Sequence, residues 1–430
     1  MNGFPLKPLC CGAALAAMFA AAPVTAEPVA SEADQALADA DRAVLDAAER
    51  HEEPLLETLE TLVNIDSGTT YEPGLAEVEA ILDERLRELG AEVETHPSEE
   101  LGGNTLVGTL EGSGERDIML MIHYDTVFGE GTAAERPYRT EDGRAFGPGV
   151  GDAKGGVAII LHSLAILEEL EYDGYGTLTV VFNPDEEQGS LGSRELIQQL
   201  AAEQDAVLVF EPTLGEDGMD AVTIVTKGIN YASLEVTGRA SHAGSAPDEG
   251  RNAVMELSHQ LLQLSDLGDP DKETTLNWTV VEGGGTRNII PERARAEGDM
   301  RYFEADEYDR VTEEANEIIA NRLIEDTEVE FRLERGRPPL PENPQTQELA
   351  EVAKEIYAEL GLELDAVEIG GGTDAAYAYQ PDAERPAVLE SLGLVGGRYH
   401  SSDEFVELHS VVPRLYLATR LIMELSEEAP

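Results

Sequence analysis

The chain is 430 residues long and carries 87 acidic against 29 basic side chains, a formal charge of −58 at pH 7. That balance excludes nucleic acid as a partner, because binding a phosphate backbone rests on lysine and arginine contacts. The acids are scattered through the helical segments rather than gathered in one block, which reads as a salt-adapted surface and not as a tail for a basic partner.

Residues 1–26 read as a secretory signal. Lys7 supplies a short positive region, residues 13–22 are small and apolar, and Val24-Thr25-Ala26 offers a small-residue cleavage site. The apolar run is too short to span a bilayer, so no membrane anchoring is expected. Both cysteines, Cys10 and Cys11, fall inside this segment. The mature chain is then expected to be secreted or periplasmic, with neither disulfides nor thiolate ligands. Any metal site must be built from His and carboxylates, a donor set that suits zinc, manganese or cobalt. About 400 mature residues exceed what one core usually serves, so two domains are expected.

Residues 33–63 read as helix, with Leu55, Leu56, Leu59, Leu62 and Val63 on one face. Val78, Ile81, Leu82, Leu86 and Leu89 repeat that spacing, and Gly90 is a natural stop. Residues 104–110 read as a strand. The next strand organises the chain. The unbroken apolar run of residues 118–122 suits a strand buried on both faces of a parallel sheet, and it stops at His123. Residues two apart in a strand point the same way, so His123 and Asp125 share a side. A carboxylate beside an imidazole holds one ring nitrogen and leaves the other free for a metal.

Residues 147–156 hold five glycines in ten positions and suit no packed strand or helix interior. The glycines let backbone pass close to something, and Asp152 is the acid presented there. Val157, Ile160, Leu161, Leu164 and Leu167 follow at helical spacing. Two more apolar runs repeat the organising pattern. Residues 177–182 lead into Asn183-Pro184-Asp185-Glu186-Glu187, and residues 206–210 into Glu211-Pro212. Three buried strands thus each present a His or an acid just past the carboxyl end, the edge where open α/β sheets bind ligands. Strands alternating with helices imply a mostly parallel, helix-covered sheet.

From residue 227 the pattern changes to strand 231–236, helix 252–267, strands 276–281 and 293–302, helix 306–324 and strand 329–333. This β-α-β-β-α-β order is the split ferredoxin-like unit. It reads as an insertion, because the earlier style resumes after residue 344. A helix over 346–360, a glycine-rich turn over 370–374, a strand near Val388 and a final helix over 411–425 complete the chain. The expected layout is a first catalytic part over residues 27–226, an inserted α+β domain over 227–337, and a second catalytic part over 338–430.

Six motifs carry a family resemblance. They are His123-Tyr124-Asp125, Gly151-Asp152-Ala153-Lys154-Gly155-Gly156, Asp185-Glu186-Glu187, Glu211-Pro212, Ser241-His242-Ala243-Gly244 and Gly396-Gly397-Arg398-Tyr399-His400-Ser401. In this order the chain resembles the di-zinc aminoacylase/carboxypeptidase clan, and within it the bacterial glutamate carboxypeptidases of the carboxypeptidase G type. The similarity runs over residues 56–425. It implies an α/β, zinc-exopeptidase-like fold in which the inserted ferredoxin-like domain acts as lid and dimerisation domain.

The resemblance also implies roles. Asp152 bridges two Zn2+ per subunit, with Co2+ or Mn2+ as possible substitutes. His123 and Glu211 complete one ion, and Glu187 and His400 the other. Glu186 is the general base acting on a water, Asp125 orients His123, and the peptide after Asp152 is cis. His242 reaches the active site of a partner subunit and stabilises the oxyanion, so a homodimer through the inserted domain, a closure of the domains, or both, is expected. Arg301, Arg337 and Asn288 match positions that contact substrate carboxylates, and Gly371, Gly372 and Thr373 line the same pocket. Lys154 and Lys227 receive no role. The implied activity is hydrolysis of the amide to a C-terminal amino acid, glutamate in folate-like or other N-acyl glutamates, acting on a small molecule or peptide with a free carboxylate. The alternative is an aminoacylase or dipeptidase of the same clan. One departure is the loop Glu216-Asp217-Gly218-Met219, near which relatives of the folate-cleaving subgroup carry a lysine.

Overall fold

The computed structural model describes residue 37 and residues 39–98, 101–213, 219–381 and 386–427. The expected signal over residues 1–26 lies outside the described residues, as does the departing loop up to Gly218.

The chain is α/β, and its central sheet has six strands. Their order is Glu92–Pro97, Asn104–Glu111, Thr177–Asn183, Asp117–His123, Ala206–Val209 and Ala387–Leu389. The last four run parallel, in the register His123↔Asn183, Ile118↔Ala206 and Ala387↔Ala206. The first two extend the sheet in antiparallel fashion. Alternate residues face opposite sides of the sheet and both sides are covered, which explains why residues 118–122 are apolar without a break. Ile118, Leu120 and Ile122 join the core formed with the helices Asp39–Val63, Lys154–Glu169 and Val411–Ser426. Met119 and Met121 face the opposite way, toward Ile197, Ala201 and Ala375 to Ala378. Helices on both faces leave one open edge at the carboxyl ends of the parallel strands, and His123 stands on it.

Gly228–Thr237, Thr275–Gly283, Arg293–Tyr302 and Glu328–Arg335 form a separate four-stranded antiparallel sheet. The helices Ala253–Leu264 and Glu307–Ile318 cover one face, around a core of Leu234, Val236, Leu257, Met300, Val311 and Phe331. Asn252 caps the first helix by accepting from Met255 N at 3.2 Å. The second helix stops at Ile318, short of the expected 324. The carboxylate of Glu256, itself buried, accepts from Leu323 N and Ile324 N at 3.3 and 2.6 Å and draws the chain out of helical geometry.

Two further ladders have no counterpart in the sequence reading. Ala221–Thr226 pairs in parallel with Asp365–Ile369. Gly396–Gly397, Phe405–Glu407, Arg144–Phe146 and Arg139–Glu141 form a small antiparallel sheet. The strands of the second, two or three residues each, are too short to show a period; those of the first are longer, but the sequence reading places no strand there. No helix among the described residues is long and apolar enough to cross a membrane.

Leu120 is fully buried in the middle of the sheet. Leu120→Ala is expected to lower the unfolding free energy by about 3 kcal/mol, read by urea denaturation, through lost contacts and the cavity left behind. A loss well under about 1 kcal/mol would contradict this packing.

Candidate metal centre

Five side chains from five separate stretches meet at the open sheet edge. His123 ends its strand, Glu211 follows Ala206–Val209 by two residues, and Glu187 lies in the short 3-10 turn Glu186–Gln188 after Thr177–Asn183. Asp152 comes from the glycine loop and His400 from the turn before Phe405–Glu407. The loop approaches closely because it must. A Cβ on Gly156 would stand 1.9 Å from Phe210 O, so only glycine lets the helix that follows Asp152 press against the strand bearing Glu211. The Asp152–Ala153 peptide is cis, as expected.

The polar atoms form two triads that share Asp152. His123 Nε2 lies 3.2 Å from Asp152 Oδ1 and 3.5 Å from Glu211 Oε2. His400 Nε2 lies 3.1 Å from Asp152 Oδ2 and 3.2 Å from Glu187 Oε2. Ligand bonds of about 2.0 Å in a tetrahedron separate neighbouring donor atoms by about 3.3 Å, so both triads fit zinc-sized cations. The donors are imidazole and carboxylate alone, which agrees with the absence of thiolates in the expected mature chain.

Electrostatics reinforce the fit. Burial opposes a proton on His123, yet Glu211, Asp125 and Asp152 outweigh it and hold that imidazole well above its ordinary pKa. Asp152 and Glu187 lift His400 to about 11. Burial alone would raise Asp152, but the two imidazoles pull it below the usual carboxylate range. Burial raises Glu211, and it lifts Glu187 to about 7. A cluster in which imidazoles gather protons and acids resist ionising is short of positive charge, as a site suited to metal cations is.

Supporting contacts hold each ligand. Asp125 Oδ1 lies 3.2 Å from His123 Nδ1, which keeps a proton on that nitrogen and turns the Nε2 lone pair to the site. Asp125 also accepts from Glu186 N, Glu187 N and the Thr69 hydroxyl. It therefore fixes a ligand from one strand and the turn from the next. Glu404, which the sequence reading passed over, does the same for the glycine loop. Its buried carboxylate accepts from Gly149 N at 3.3 Å, Gly151 N at 2.9 Å and Asp152 N at 3.1 Å. It stands four residues after His400, but in a chain with 87 acids nothing marks it out. His400 itself sits at φ +60°, a conformation that non-glycine residues adopt only when surroundings enforce it.

Glu186 points into the same space. Burial raises its carboxyl well above the ordinary range, against the pull of Arg337 and His123. Arg337 is placed differently from a free carboxylate clamp. It is 6% exposed, pairs with Glu186 Oε1 at 2.6 Å, and donates to Gly372 O and to the Asp374 carboxylate at 2.6 and 3.2 Å. Asp374, a second residue the sequence reading missed, also accepts from Asn183 Nδ2 at 2.7 Å and from the Ser190 hydroxyl.

A cleft of about 730 Å³ opens from the centre. Glu186, Glu187, His400, Arg301, Arg337, Gly371 and Gly372 line it. Arg301 stands on the wall from the four-stranded sheet and contacts Asp299 at 2.8 Å. Thr373 lies buried behind that lining. His242 and Asn288 do not line it. They neighbour one another on the short ladder Ser241–His242 with Ile289–Ile290. His242 Nδ1 accepts from Gly244 N and Ser245 N at 3.1 and 3.0 Å, leaving Nε2 free on an exposed edge. Lys154 is buried and donates to Ile65 O at 2.8 Å, burial lowering it to about 7. Lys227 donates to Glu273 O at 2.7 Å. Neither reaches the cleft.

Two histidine-carboxylate triads that share Asp152, with a buried glutamate beside them at the edge of such a sheet, are the arrangement of a metallopeptidase. The profile of the peptidase family M20/M25/M40 matches residues 119–424, and the chain belongs to that family. It is 40% identical to Carboxypeptidase G2 of Pseudomonas sp. (strain RS-16) over 415 residues, which covers 96% of this chain and 97% of the relative. Succinyl-diaminopimelate desuccinylase of Cereibacter sphaeroides is 31% identical over 297 residues, 66% of this chain and 75% of that one. Among solved structures, a tripeptidase from Staphylococcus aureus superposes with a TM-score of 0.75 at 23% identity, covering 88% of this chain and 99% of that one, a likeness of fold.

Glu404→Ala is expected to weaken metal retention about 10- to 100-fold, because the loop bearing Asp152 loses its anchor. Glu404→Gln should act in the same direction, since its NH2 group meets N–H donors. Metal remaining after dialysis against graded chelator measures both, and retention equal to the parent chain in both would remove this role.

Proposed function

We propose that this chain is a di-zinc carboxypeptidase that hydrolyses the amide joining an acyl group to a C-terminal amino acid, glutamate foremost. Folate-like pteroyl glutamates and other N-acyl glutamates are the substrates to test. The observation that carries the reading is the pair of triads sharing Asp152, with Glu186 beside them. The likeness to Carboxypeptidase G2 and the arginines of the cleft support the substrate class.

His123, Asp152 and Glu211 would hold one ion, and His400, Asp152 and Glu187 the other. Bound there, zinc supplies Lewis-acid polarisation and makes water a nucleophile near neutral pH. The chain's own residues do the rest. Glu186, with its raised proton affinity, takes the proton of the attacking water and returns it to the departing amine nitrogen as the C–N bond breaks. Arg337 holds that carboxylate in place while its own charge is shared with Asp374. Arg301 receives a carboxylate of the substrate from the opposite wall. The free Nε2 of His242 is presented to the active site of a second copy, where it stabilises the developing oxyanion. The reading is therefore a homodimer through the segment of residues 227–337, in a secreted or periplasmic enzyme.

Two outcomes test this. Glu186→Gln is expected to keep both metals while kcat falls about 10²- to 10⁴-fold, the usual worth of a general base. Full turnover in that variant would reject the assignment. For His242, mixing inactive His242→Ala with inactive Glu186→Gln under conditions of subunit exchange should restore activity, to about a quarter of the parent level. Each mixed dimer then holds one complete site. No recovery would place the action of His242 within its own subunit.

The second reading is an aminoacylase or dipeptidase, favoured by the likeness to the desuccinylase and the tripeptidase. A panel of N-acyl amino acids and dipeptides separates them. A dipeptidase requires a free α-amino group, and an acyl-glutamate hydrolase does not.

A further inference from the structure

The cleft gathers four arginines, Arg194, Arg301, Arg335 and Arg337, in a chain that has 29 basic residues and 87 acids. Three of the four already face an acid. Arg337 holds Glu186 and Asp374, Arg301 holds Asp299, and Arg335 lies 3.6 Å from Asp309 while stacked on Tyr308. Arg194 is the exception. Among the described residues it pairs with no carboxylate, and it faces the hydroxyl of Tyr377. That hydroxyl is itself fixed, because it donates to Gly189 O at 3.1 Å. A half-exposed guanidinium that is aimed by a neutral partner, in a chain with three acids for each base, is a vacant anion receptor.

Its position states which anion. Arg194 begins the helix Arg194–Ala201, just past the turn that carries Glu186 and Glu187, so it stands on the same wall as the base. Arg301 stands on the facing wall, on Arg293–Tyr302. A leaving amino acid with two carboxylates meets one guanidinium on each wall, whereas one with a neutral side chain meets only one. We propose that Arg194 is a specificity determinant that receives the side-chain carboxylate of the departing amino acid, while Arg301 takes its α-carboxylate. This rests on the carboxypeptidase reading above and narrows it to acidic residues. The recognition is one of charge and forked geometry, so it separates glutamate from glutamine, which has the same shape and no charge.

The test compares N-benzoyl-L-glutamate with N-benzoyl-L-glutamine on zinc-loaded enzyme. The parent chain is expected to prefer glutamate in kcat/KM. Arg194→Gln should shrink that preference about tenfold or more, and Arg194→Lys should keep part of it. Metal content and the midpoint of thermal unfolding, measured alongside, report whether the variant is intact. A glutamate-to-glutamine ratio in an intact Arg194→Gln equal to that of the parent overturns the assignment and leaves the carboxypeptidase reading standing. A parent chain with no preference for glutamate overturns it as well. A parent chain that releases neither amino acid rejects the carboxypeptidase reading itself.

Discussion

The constraint on which the rest depends is the burial of several carboxylates within a few ångströms of one another. Asp152, Glu187, Glu211 and Glu186 share a space with little access to water, where an unpaired charge is costly by several kcal/mol. The described side chains offset this only in part. Two imidazoles and Arg337 are the positive groups in contact with the four acids. Asp125 and Glu404 are further buried acids, met by backbone N–H groups, a hydroxyl and, for Asp125, the His123 imidazole already counted. The surrounding hydrogen bonds orient the acids without neutralising them. Cations held between the acids would complete the balance, which is what the proposed metal centre supplies.

Much of this was legible in the sequence because it was written twice. The run of residues 118–122 announces a strand buried on both faces, and the residue that breaks it, His123, stands in the candidate metal centre. The same holds for Asn183 ahead of Glu186 and Glu187, and for Phe210 ahead of Glu211. Structural and chemical signals coincide where a strand ends at a functional edge. Glycine spacing likewise marked the loop of Asp152, since close backbone approach leaves no other choice of residue. What escaped was either short or repetitive. The ladder that joins Phe405–Glu407 to Arg144–Phe146 has three residues a side, too few for a period. Glu404 and Asp374 are acids among 87, and their importance lies in which N–H groups and side chains they meet after folding. The antiparallel course of Asn104–Glu111 was hidden for another reason: strand direction follows from connections, not from the pattern within a strand.

The same composition sharpens the meaning of the few cations. On a surface with three acids for each base, an arginine finds a carboxylate almost anywhere. Pairs such as Arg87 with Asp83 or Arg332 with Glu330 are solvated and contribute little to stability. Arginines gathered in a cleft lined partly by backbone of Gly371 and Gly372 are another matter. There the long-range field of the chain is unfavourable to an anionic substrate, and a local concentration of guanidinium groups has to overcome it. The excess negative charge is screened within about 8 Å at physiological ionic strength, whereas contacts inside the cleft are not. On the proposed reading, a dicarboxylate substrate would be drawn by short-range pairing and not by steering from afar.

Arg337 ties this chemistry to the architecture. It follows Glu328–Arg335, the last strand of the four-stranded sheet, by two residues, and so belongs to the segment by which the chain returns to the central sheet. The outgoing segment runs beside it, with Thr226 N donating to Leu340 O at 3.0 Å and Ile229 N to Arg337 O at 2.8 Å. Lys227 N reaches Ile369 O and Gly371 O, which brings the glycine turn into the same ladder. The two crossings between the sheets thus form one hydrogen-bonded unit, and its guanidinium holds the carboxylate of Glu186. Any movement of one sheet against the other must act through residues that also position the Glu186 carboxylate. If Glu186 is the base, as proposed, the placement of Arg337 at the crossing, rather than deeper in either core, would make proton transfer sensitive to how the two sheets are set against each other.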